Sequence, residues 1–245
     1  MSKQRIIGFD LARGIAILGM VYVNFKVVMV DQSGGLLYWM MNLLSGKAAA
    51  LFVVLAGVGM TLMYEGAKRR SGNLHQVRNE LLKRAGFLLI IGLSYYFIWP
   101  ADILHYYGVY MLVAVLLLGS SRLLLQVISI TLVLIYPLLL EFIDYEVGWN
   151  FSNLEYVDFF SVSGFFRNMF INGFHPVIPW VAFMLSGIWV GRLNFGESKT
   201  RNRIGLFAFI IFVLFTGASI VITQWLNSTG ISEVDPIPWT VILDS

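Results

Sequence analysis

The sequence contains no cysteine, few charged residues and only three histidines in 245 residues. Without cysteine, a disulfide framework, a thiolate nucleophile and a zinc–thiolate site are excluded. Charged residues make up 13% of the chain and hydrophobic residues 58%, whereas an ordinary globular domain is about 25% charged. So little polar surface cannot cover a water-soluble core. The composition therefore excludes a cytosolic enzyme, a nucleic-acid-binding domain and a disordered protein, and it predicts a polytopic membrane protein.

Seven apolar stretches predict helices that cross the membrane, since a crossing takes about 20 mostly apolar residues. Together they predict an all-α transmembrane bundle that forms a single domain over residues 1–245, with an outer loop at residues 143–174. The third and fourth stretches are separated by only three residues, which predicts a tight helical hairpin. The predicted spans are Leu11–Val30, Lys47–Tyr64, Ala85–Trp99, Ile103–Gly119, Leu123–Phe142, Pro176–Gly191 and Ile204–Leu226.

The lysines and arginines are unevenly distributed between the connections. Of the 17, fourteen lie at the N-terminus or in the second, fourth and sixth connections, whereas the alternate connections are acidic. Cytoplasmic loops of membrane proteins carry the excess of Lys and Arg. The N-terminus is therefore predicted to be cytoplasmic, and residues 143–174 to lie outside. After Leu226 the chain turns polar and then apolar again, and we expect it to be the N-terminal portion of a longer protein.

The first span carries polar residues that a bilayer tolerates only with a partner or a function. Asp10 and Arg13 in RIIGFDLARG are spaced i,i+3, on one helix face. They form either a structural ion pair or an anchor for an anionic headgroup or phosphate, with Arg13 as the donor. Near the outer end, Lys26 either extends its ammonium group to the interface or contacts a substrate. Asn24 is expected to face other helices or a cavity, because an amide facing lipid would be unsatisfied.

Two of the three histidines lie on the predicted outer side. Asp102 and His105 in WPADILHYYGVY are spaced i,i+3, so the carboxylate can orient the imidazole and raise its basicity, as a general base requires. Asp102 can equally cap the fourth helix, and the two roles are compatible. Tyr106 supplies a hydroxyl to a substrate or an interface anchor, and His175 is either a second ring at the same mouth or a plain interface residue. His75 is predicted to be solvated, and the scattered histidines predict no metal site.

A pair of glycines lies near the end of the sixth span. Gly187 and Gly191 have the small-xxx-small spacing that lets two helix backbones approach closely. This spacing favours close helix packing over ligand binding.

Three segments together resemble a known family. RIIGFDLARGIAILGMVYVNF is similar to the opening of the heparan-α-glucosaminide N-acetyltransferase-like membrane proteins. LLKRAGFLLIIGLSYYFIWPADILHYYGVYMLVAVL and NGFHPVIPWVAFMLSGIWVGRL are similar to its bacterial branch, so the resemblance runs over most of Arg5–Leu193. It implies a multi-helix transferase of the bacterial cytoplasmic (inner) membrane. Such a transferase takes an acyl group from cytosolic acyl-CoA, such as acetyl-CoA, and delivers it to a sugar amine or hydroxyl on the far side.

The sequence departs from this family at one position. The family's key histidine falls between the first two helices, where DQSGGLLYWMMNLLSGK contains none. If the chain is an acyltransferase, His105 or His175 takes that role.

The leading hypothesis is therefore a membrane-embedded acyltransferase. The alternatives are a transporter or flippase for a small or lipid-linked molecule, and a membrane assembly or regulatory subunit. Membrane lipid and a small-molecule or glycan acceptor are the expected partners, homo-oligomers are possible, and no nucleic acid is expected. The hypothesis assigns catalysis to Asp102, His105 and His175, donor binding to Asp10 and Arg13, and acceptor binding to Asn24, Lys26 and Tyr106.

Overall fold

Helices make up most of the computed structural model, which describes residues 7–29, 46–151 and 155–228. Within these ranges the chain forms eight α-helices, one π-helical turn and a two-stranded antiparallel ribbon. The α-helices are α1 (Ile7–Met29), α2 (Lys47–Arg69), α3 (Leu74–Tyr95), α4 (Leu104–Leu117), α5 (Arg122–Leu140), α6 (Val162–Arg167), α7 (Val177–Gly191) and α8 (Ser198–Ser228); the strands are β1 (Trp149–Asn150) and β2 (Glu155–Tyr156), and the π-helical turn is Asn168–Asn172.

Three of these helices are long and apolar enough to cross a membrane. They are Ile7–Phe25 of α1, and α2 and α5 over their full lengths. A fourth candidate is a bent pair, in which α6 and the π-helical turn meet α7 at an angle of 49°. The described residues therefore contain three or four candidate spans, where the hydropathy pattern predicts seven. One cause is length, because α4 has only 14 residues and a crossing needs about 20.

The third predicted span begins earlier than its hydropathy indicates. The structure starts α3 at Leu74, where the Asn73 side chain accepts hydrogen bonds from the backbone N–H groups of His75 and Gln76. An asparagine in this position is a favoured N-cap. Much of the basic second connection is therefore helical, and Arg78 lies on a helix rather than in a loop.

The second half of the predicted outer loop is helical. The Ser161 hydroxyl accepts a hydrogen bond from Gly164 N at 2.9 Å, which begins α6, and the π-helical turn continues it to Asn172. The first half forms the β1–β2 ribbon, in which Trp149 pairs with Tyr156. The described parts of the predicted outer loop therefore contain regular secondary structure, and the apolar second half joins α7 as a candidate broken span.

The break before α7 exposes backbone carbonyls that an unbroken helix would satisfy. Four of them, at residues 171, 172, 173 and 175, accept a hydrogen bond from a side-chain N–H or O–H, as a bilayer setting requires. The pairs are Tyr136 Oη to Ile171 O (2.9 Å), Trp149 Nε1 to Asn172 O (2.6 Å), Tyr145 Oη to Gly173 O (3.1 Å) and Tyr110 Oη to His175 O (2.5 Å).

Helices α2 and α7 pack backbone to backbone. A Cβ atom added at Gly57 would lie 2.1 Å from Met184 O, and one added at Gly187 would lie 2.1 Å from Val54 O. Gly191 packs against the next turn of α2 in the same way. The packing predicted from the glycine spacing is confirmed, and the two helices form the centre of the core.

Helices α3 and α4 form the predicted tight hairpin. A Cβ atom at Gly92 would lie 2.2 Å from the backbone nitrogen of His105, and one at Gly108 would lie 2.8 Å from Ala85 O. Glycine on both helices therefore brings the backbones together along the whole crossing. This close approach fixes the position of the first turn of α4, which carries His105, and of Asp102 just before it.

The described residues from Leu193 to Ser228 belong to a separate compact unit. Its described part contains α8, which has 31 residues. Arg201, in the first turn of α8, donates hydrogen bonds to the carbonyls of Phe195 and Gly196. These two residues precede the helix, so the bonds close the turn that leads into it.

Candidate functional site

His105 is fully buried and its imidazole is unpartnered. Neither ring nitrogen has a hydrogen-bond partner among the described residues. The ring lies in an aromatic enclosure, with ring centroids 4.0 Å from Tyr106, 6.1 Å from Tyr96 and 6.2 Å from Phe159. Buried polar side chains are almost always hydrogen-bonded, so an unpartnered imidazole is a candidate for a functional role.

Asp102 has both of the contacts that its sequence position predicts. Its Oδ2 accepts a hydrogen bond from Leu104 N at 2.8 Å, which supports the first turn of α4. The same oxygen lies 3.7 Å from His105 Nδ1. That distance is too long for a hydrogen bond but short enough for a strong electrostatic interaction once the imidazole is protonated.

A cavity of about 340 Å³ opens beside this pair. Among the described residues it is lined by Asn24, Phe25, Tyr95, Trp99 and Asp102. The structure thus places Asn24 against a cavity, as its polarity predicts, and brings it to the same space as Asp102. The Lys26 side chain lies outside the described residues. Asp102 is therefore the member of the pair that lines the cavity.

Tyr106 lies between His105 and His175. It is fully buried, and its hydroxyl donates a 2.6 Å hydrogen bond to Asn168 Oδ1. Its ring lies 4.0 Å from His105 and 6.2 Å from His175, which in turn packs 4.6 Å from Trp180. Tyr106 is not among the described residues that line the cavity, and its contact with a substrate stays a prediction.

A polar cluster that the sequence analysis did not single out holds this region together. Asn172 is fully buried; its Nδ2 donates to Tyr145 O at 2.8 Å and Val147 O at 2.9 Å, and its Oδ1 accepts from Tyr156 Oη at 2.8 Å. Through these three hydrogen bonds, the Asn172 side chain links residues 145, 147 and 156 to the π-helical turn. The available signal was the Asn-Gly in FINGFHP, where the helical pattern stops four residues before a proline.

An ion pair closes the outer edge of this cluster. Arg167 donates through NH2 to Asp158 Oδ2 at 2.5 Å and through Nε to Tyr156 Oη at 2.7 Å. Burial raises the pKa of the Tyr156 hydroxyl, and the guanidinium of Arg167 opposes that rise. The hydroxyl therefore stays protonated at neutral pH and donates to Asn172.

Asp10 and Arg13 form the predicted pair, but at an unexpected depth. Arg13 NH1 lies 3.4 Å from Asp10 Oδ1, and NH2 donates to Leu55 O at 3.4 Å. A Cβ atom at Gly59 would lie 3.0 Å from the same guanidinium. Leu55 and Gly59 are 10 to 14 residues from the Arg69 end of α2, which is roughly 15–21 Å along the helix. The pair therefore lies near the middle of α2 and not at its basic end.

No group of three or more His, Asp or Glu side chains in the described ranges is arranged to hold a metal ion. The chemistry available at this site is that of a carboxylate, an imidazole and polar donors.

Comparison with known proteins places these features in a family. Residues 5–222 match the family model described as heparan-alpha-glucosaminide N-acetyltransferase, catalytic. The chain belongs to this family. No curated protein and no solved structure matches it. Membership confirms the resemblance of the three sequence segments and supports a membrane acyltransferase-like function, and acetyltransferases of this kind use acetyl-CoA as the donor.

Proposed function

We propose that the protein is a membrane-embedded acyltransferase that moves an acyl group from cytosolic acyl-CoA to a sugar or another acceptor on the outer side. One observation carries the proposal. The carboxylate that lines the cavity, Asp102, lies 3.7 Å from a buried imidazole, His105, that has no other polar partner among the described residues. A cavity with such a pair at its wall can bind a nucleophile and remove its proton.

The reaction follows from this geometry. The acceptor nitrogen or oxygen forms a bond to the carbonyl carbon of the thioester, and the carbon–sulfur bond breaks. The acceptor proton passes to Asp102 at the cavity wall and is held by the Asp102–His105 pair. It then goes to the thiolate of the departing coenzyme A, which leaves the pair as it began. His105 acts behind Asp102 because the imidazole is fully buried.

The cavity wall suits a polar acceptor with apolar faces. Tyr95, Trp99 and Phe25 provide aromatic surface, while Asn24 and Asp102 provide hydrogen-bonding groups. Such a mixture, with few polar groups among aromatic ones, is typical of small-molecule sites. It supports a sugar amine or hydroxyl as the acceptor.

The donor has to reach the cavity from the opposite side of the membrane. We propose that the half-exposed Asp10–Arg13 pair contacts the donor on its way, since a charged pair near the middle of a span marks a pathway in many membrane proteins. The proposal includes seven spans, a cytoplasmic N-terminus and a bacterial inner membrane. It is supported by the fourteen basic residues on one set of connections.

The experiment is an acyl transfer assay on the purified full-length protein in detergent. Release of free coenzyme A from acetyl-CoA is followed with glucosamine as the acceptor. The variants are Asp102→Asn, His105→Gln and His175→Gln, with His75→Gln as the matched control because His75 is exposed on α3. We expect Asp102→Asn and His105→Gln to lower kcat by about 100-fold or more, and His75→Gln to leave it unchanged. A full-length protein that neither binds nor consumes acetyl-CoA overturns the proposal.

The same variants separate an enzyme from a transporter. In proteoliposomes, an enzyme loses product formation in His105→Gln while it retains donor binding. A transporter or flippase instead moves its cargo unmodified, and the variants reduce that movement in a graded way. Movement of an unmodified sugar without release of coenzyme A would favour the transporter.

A further inference from the structure

Three arginines lie close together around the turn that joins α4 to α5. Arg78 lies in α3, Arg122 begins α5, and Arg192 directly follows α7. Arg78, Arg122 and Arg192 come from three different helices or their ends, and they contact the same turn, residues 118–122, or each other. These residues, named here the arginine cluster, lie away from the Asp102–His105 pair, which is at the other end of α4.

Arg192 ties α7 to the end of α4. Its NH1 donates to Ser120 O at 2.5 Å and its NH2 to Leu118 O at 2.8 Å. Arg122 NH2 in turn donates to Arg192 O at 2.8 Å. These bonds explain the position of Arg192, yet its Nε is buried and has no hydrogen-bond partner among the described residues.

Arg78 approaches the same turn from α3. Its guanidinium lies 5.6 Å from the centroid of the Tyr64 ring, and a Cβ atom at Gly119 would lie 3.1 Å from its NH2. Glycine at position 119 leaves the guanidinium room beside the turn. The Nε of Arg78 is also buried and unpartnered in the described part of the chain.

The arginine cluster carries an excess of positive charge. Within the described residues none of its three guanidinium groups has a carboxylate within 4.0 Å. Burial lowers the pKa of Arg192, and the negative charge of Glu65 opposes this effect. Glu65 is therefore the one carboxylate among the described residues that we count as a partial counter-charge. Three cations against one anion leave a net charge of two.

We propose that Arg78, Arg122 and Arg192 form a binding site for phosphate groups. Guanidinium is the side chain best suited to phosphate, because its planar N–H donors match the phosphate oxygens. The identity of the ligand rests on the proposed function, in which the phosphates belong to the coenzyme A of the donor. The headgroup of an anionic lipid offers the same chemistry at this depth. In either case this site, and not Arg13, holds the phosphates.

The test is titration of coenzyme A and inorganic pyrophosphate into the full-length protein in neutral detergent, followed by calorimetry. The variants are Arg78→Gln and Arg122→Gln, with Arg70→Gln as the control because Arg70 is an exposed arginine on the same side. Arg192→Lys keeps a cation where loss of Arg192 could prevent folding, and each thermal unfolding midpoint is measured in parallel. For Arg78→Gln and Arg122→Gln we expect Kd for both probes to rise about tenfold, with no change in Arg70→Gln.

A second arm identifies the source of the phosphate. The proteins are placed in nanodiscs of phosphatidylcholine alone or with phosphatidylglycerol, and the gain in thermal stability from phosphatidylglycerol is compared. If the wild type binds neither soluble probe, and the variants lose the stabilisation by phosphatidylglycerol, the ligand is a lipid headgroup. If the variants and the wild type respond equally to the soluble probes and to phosphatidylglycerol, the proposed site is wrong.

Transfer activity keeps the two proposals distinguishable. If the variants weaken probe binding but the protein transfers no acyl group, the phosphate site is supported and the proposed function is wrong. Variants that transfer with an unchanged KM for acetyl-CoA, and that keep the wild-type response to both soluble probes and to phosphatidylglycerol, retain the function and remove the site.

Discussion

The Tyr110 hydroxyl donates a 2.5 Å hydrogen bond to the backbone carbonyl of His175. Tyr110 is fully buried on α4, and His175 lies at the break before α7. The bond therefore joins the helix that carries His105 to the turn that carries His175. It fixes the two rings on either side of Tyr106 without using either imidazole.

Removing the Tyr110 hydroxyl should destabilise the protein. Tyr110→Phe leaves the His175 carbonyl without its donor in a buried setting, which costs about 1–3 kcal/mol of unfolding free energy. Tyr22→Phe is the control, because Tyr22 is 49% exposed on α1. The measurement is fluorescence-monitored thermal unfolding in detergent. Equal midpoints for the two variants would show that the bond contributes nothing.

A methyl group at Gly92 should disrupt the α3–α4 hairpin. The added Cβ of Gly92→Ala would lie 2.2 Å from His105 N, so one helix has to move and the Asp102–His105 pair moves with it. Gly86→Ala is the matched control on the same helix, since a Cβ there meets nothing within 4 Å. We expect Gly92→Ala to unfold at a clearly lower temperature and to lose transfer activity. Gly86→Ala should be neutral or up to about 1 kcal/mol more stable, because alanine has the higher helix propensity. An active, stable Gly92→Ala protein would contradict the packing.

Loss of the Asn172 side chain should destabilise the segment at residues 143–174. Asn172→Ala removes three buried hydrogen bonds and strands the carbonyls of Tyr145 and Val147. The expected cost is several kcal/mol, at about 1–3 kcal/mol for each group left unsatisfied. Limited proteolysis should then cut within residues 143–174 faster than in the wild type. The control is Asn79→Ala, at an exposed position of α3, which the protease should cleave at the wild-type rate.

Asn24 should affect the acceptor more than the donor. Asn24→Ala removes a hydrogen-bonding group from the cavity wall, and we expect KM for the acceptor to rise about tenfold, which corresponds to about 1.4 kcal/mol. KM for acetyl-CoA should stay within twofold, a margin of about 0.4 kcal/mol. Steady-state kinetics with each substrate varied in turn measures both. A rise confined to the donor KM would place Asn24 on the donor path instead.

The Asp102–His105 pair was predictable because its geometry is local. Residues spaced i,i+3 at the start of a helix face one another whatever the rest of the chain does. The structure adds a distance of 3.7 Å and shows that Asp102 lines the cavity. The close packing at Gly187 was predictable for the same reason, since small residues one turn apart leave a groove on one helix face.

The depth of Arg13 was not predictable from hydropathy. A window of apolar residues starts at Leu11, which makes Asp10 and Arg13 look like residues at the end of a span. Their depth depends on how α1 lies along α2, and that is set by contacts such as Arg13 to Leu55 that are 42 residues apart in the chain. Hydropathy contains no information on the relative height of two helices.

The broken span escaped the sequence analysis for a related reason. Its first half is short, and acidic and aromatic residues before it resemble an outer loop. What makes the break tolerable is a set of donors distant in sequence, such as Tyr110, which no local pattern reveals. The arginine cluster likewise joins Arg78 and Arg192 from segments that the sequence assigns to separate loops.

The four side chains that satisfy the break before α7 have an order that matters during synthesis. Tyr110, Tyr136, Tyr145 and Trp149 all precede the carbonyls at residues 171–175 that accept their hydrogen bonds. A growing chain therefore already holds every donor when the break leaves the ribosome. The unwound segment can be closed as it arrives, and it does not have to wait in the bilayer for any part of the chain made later.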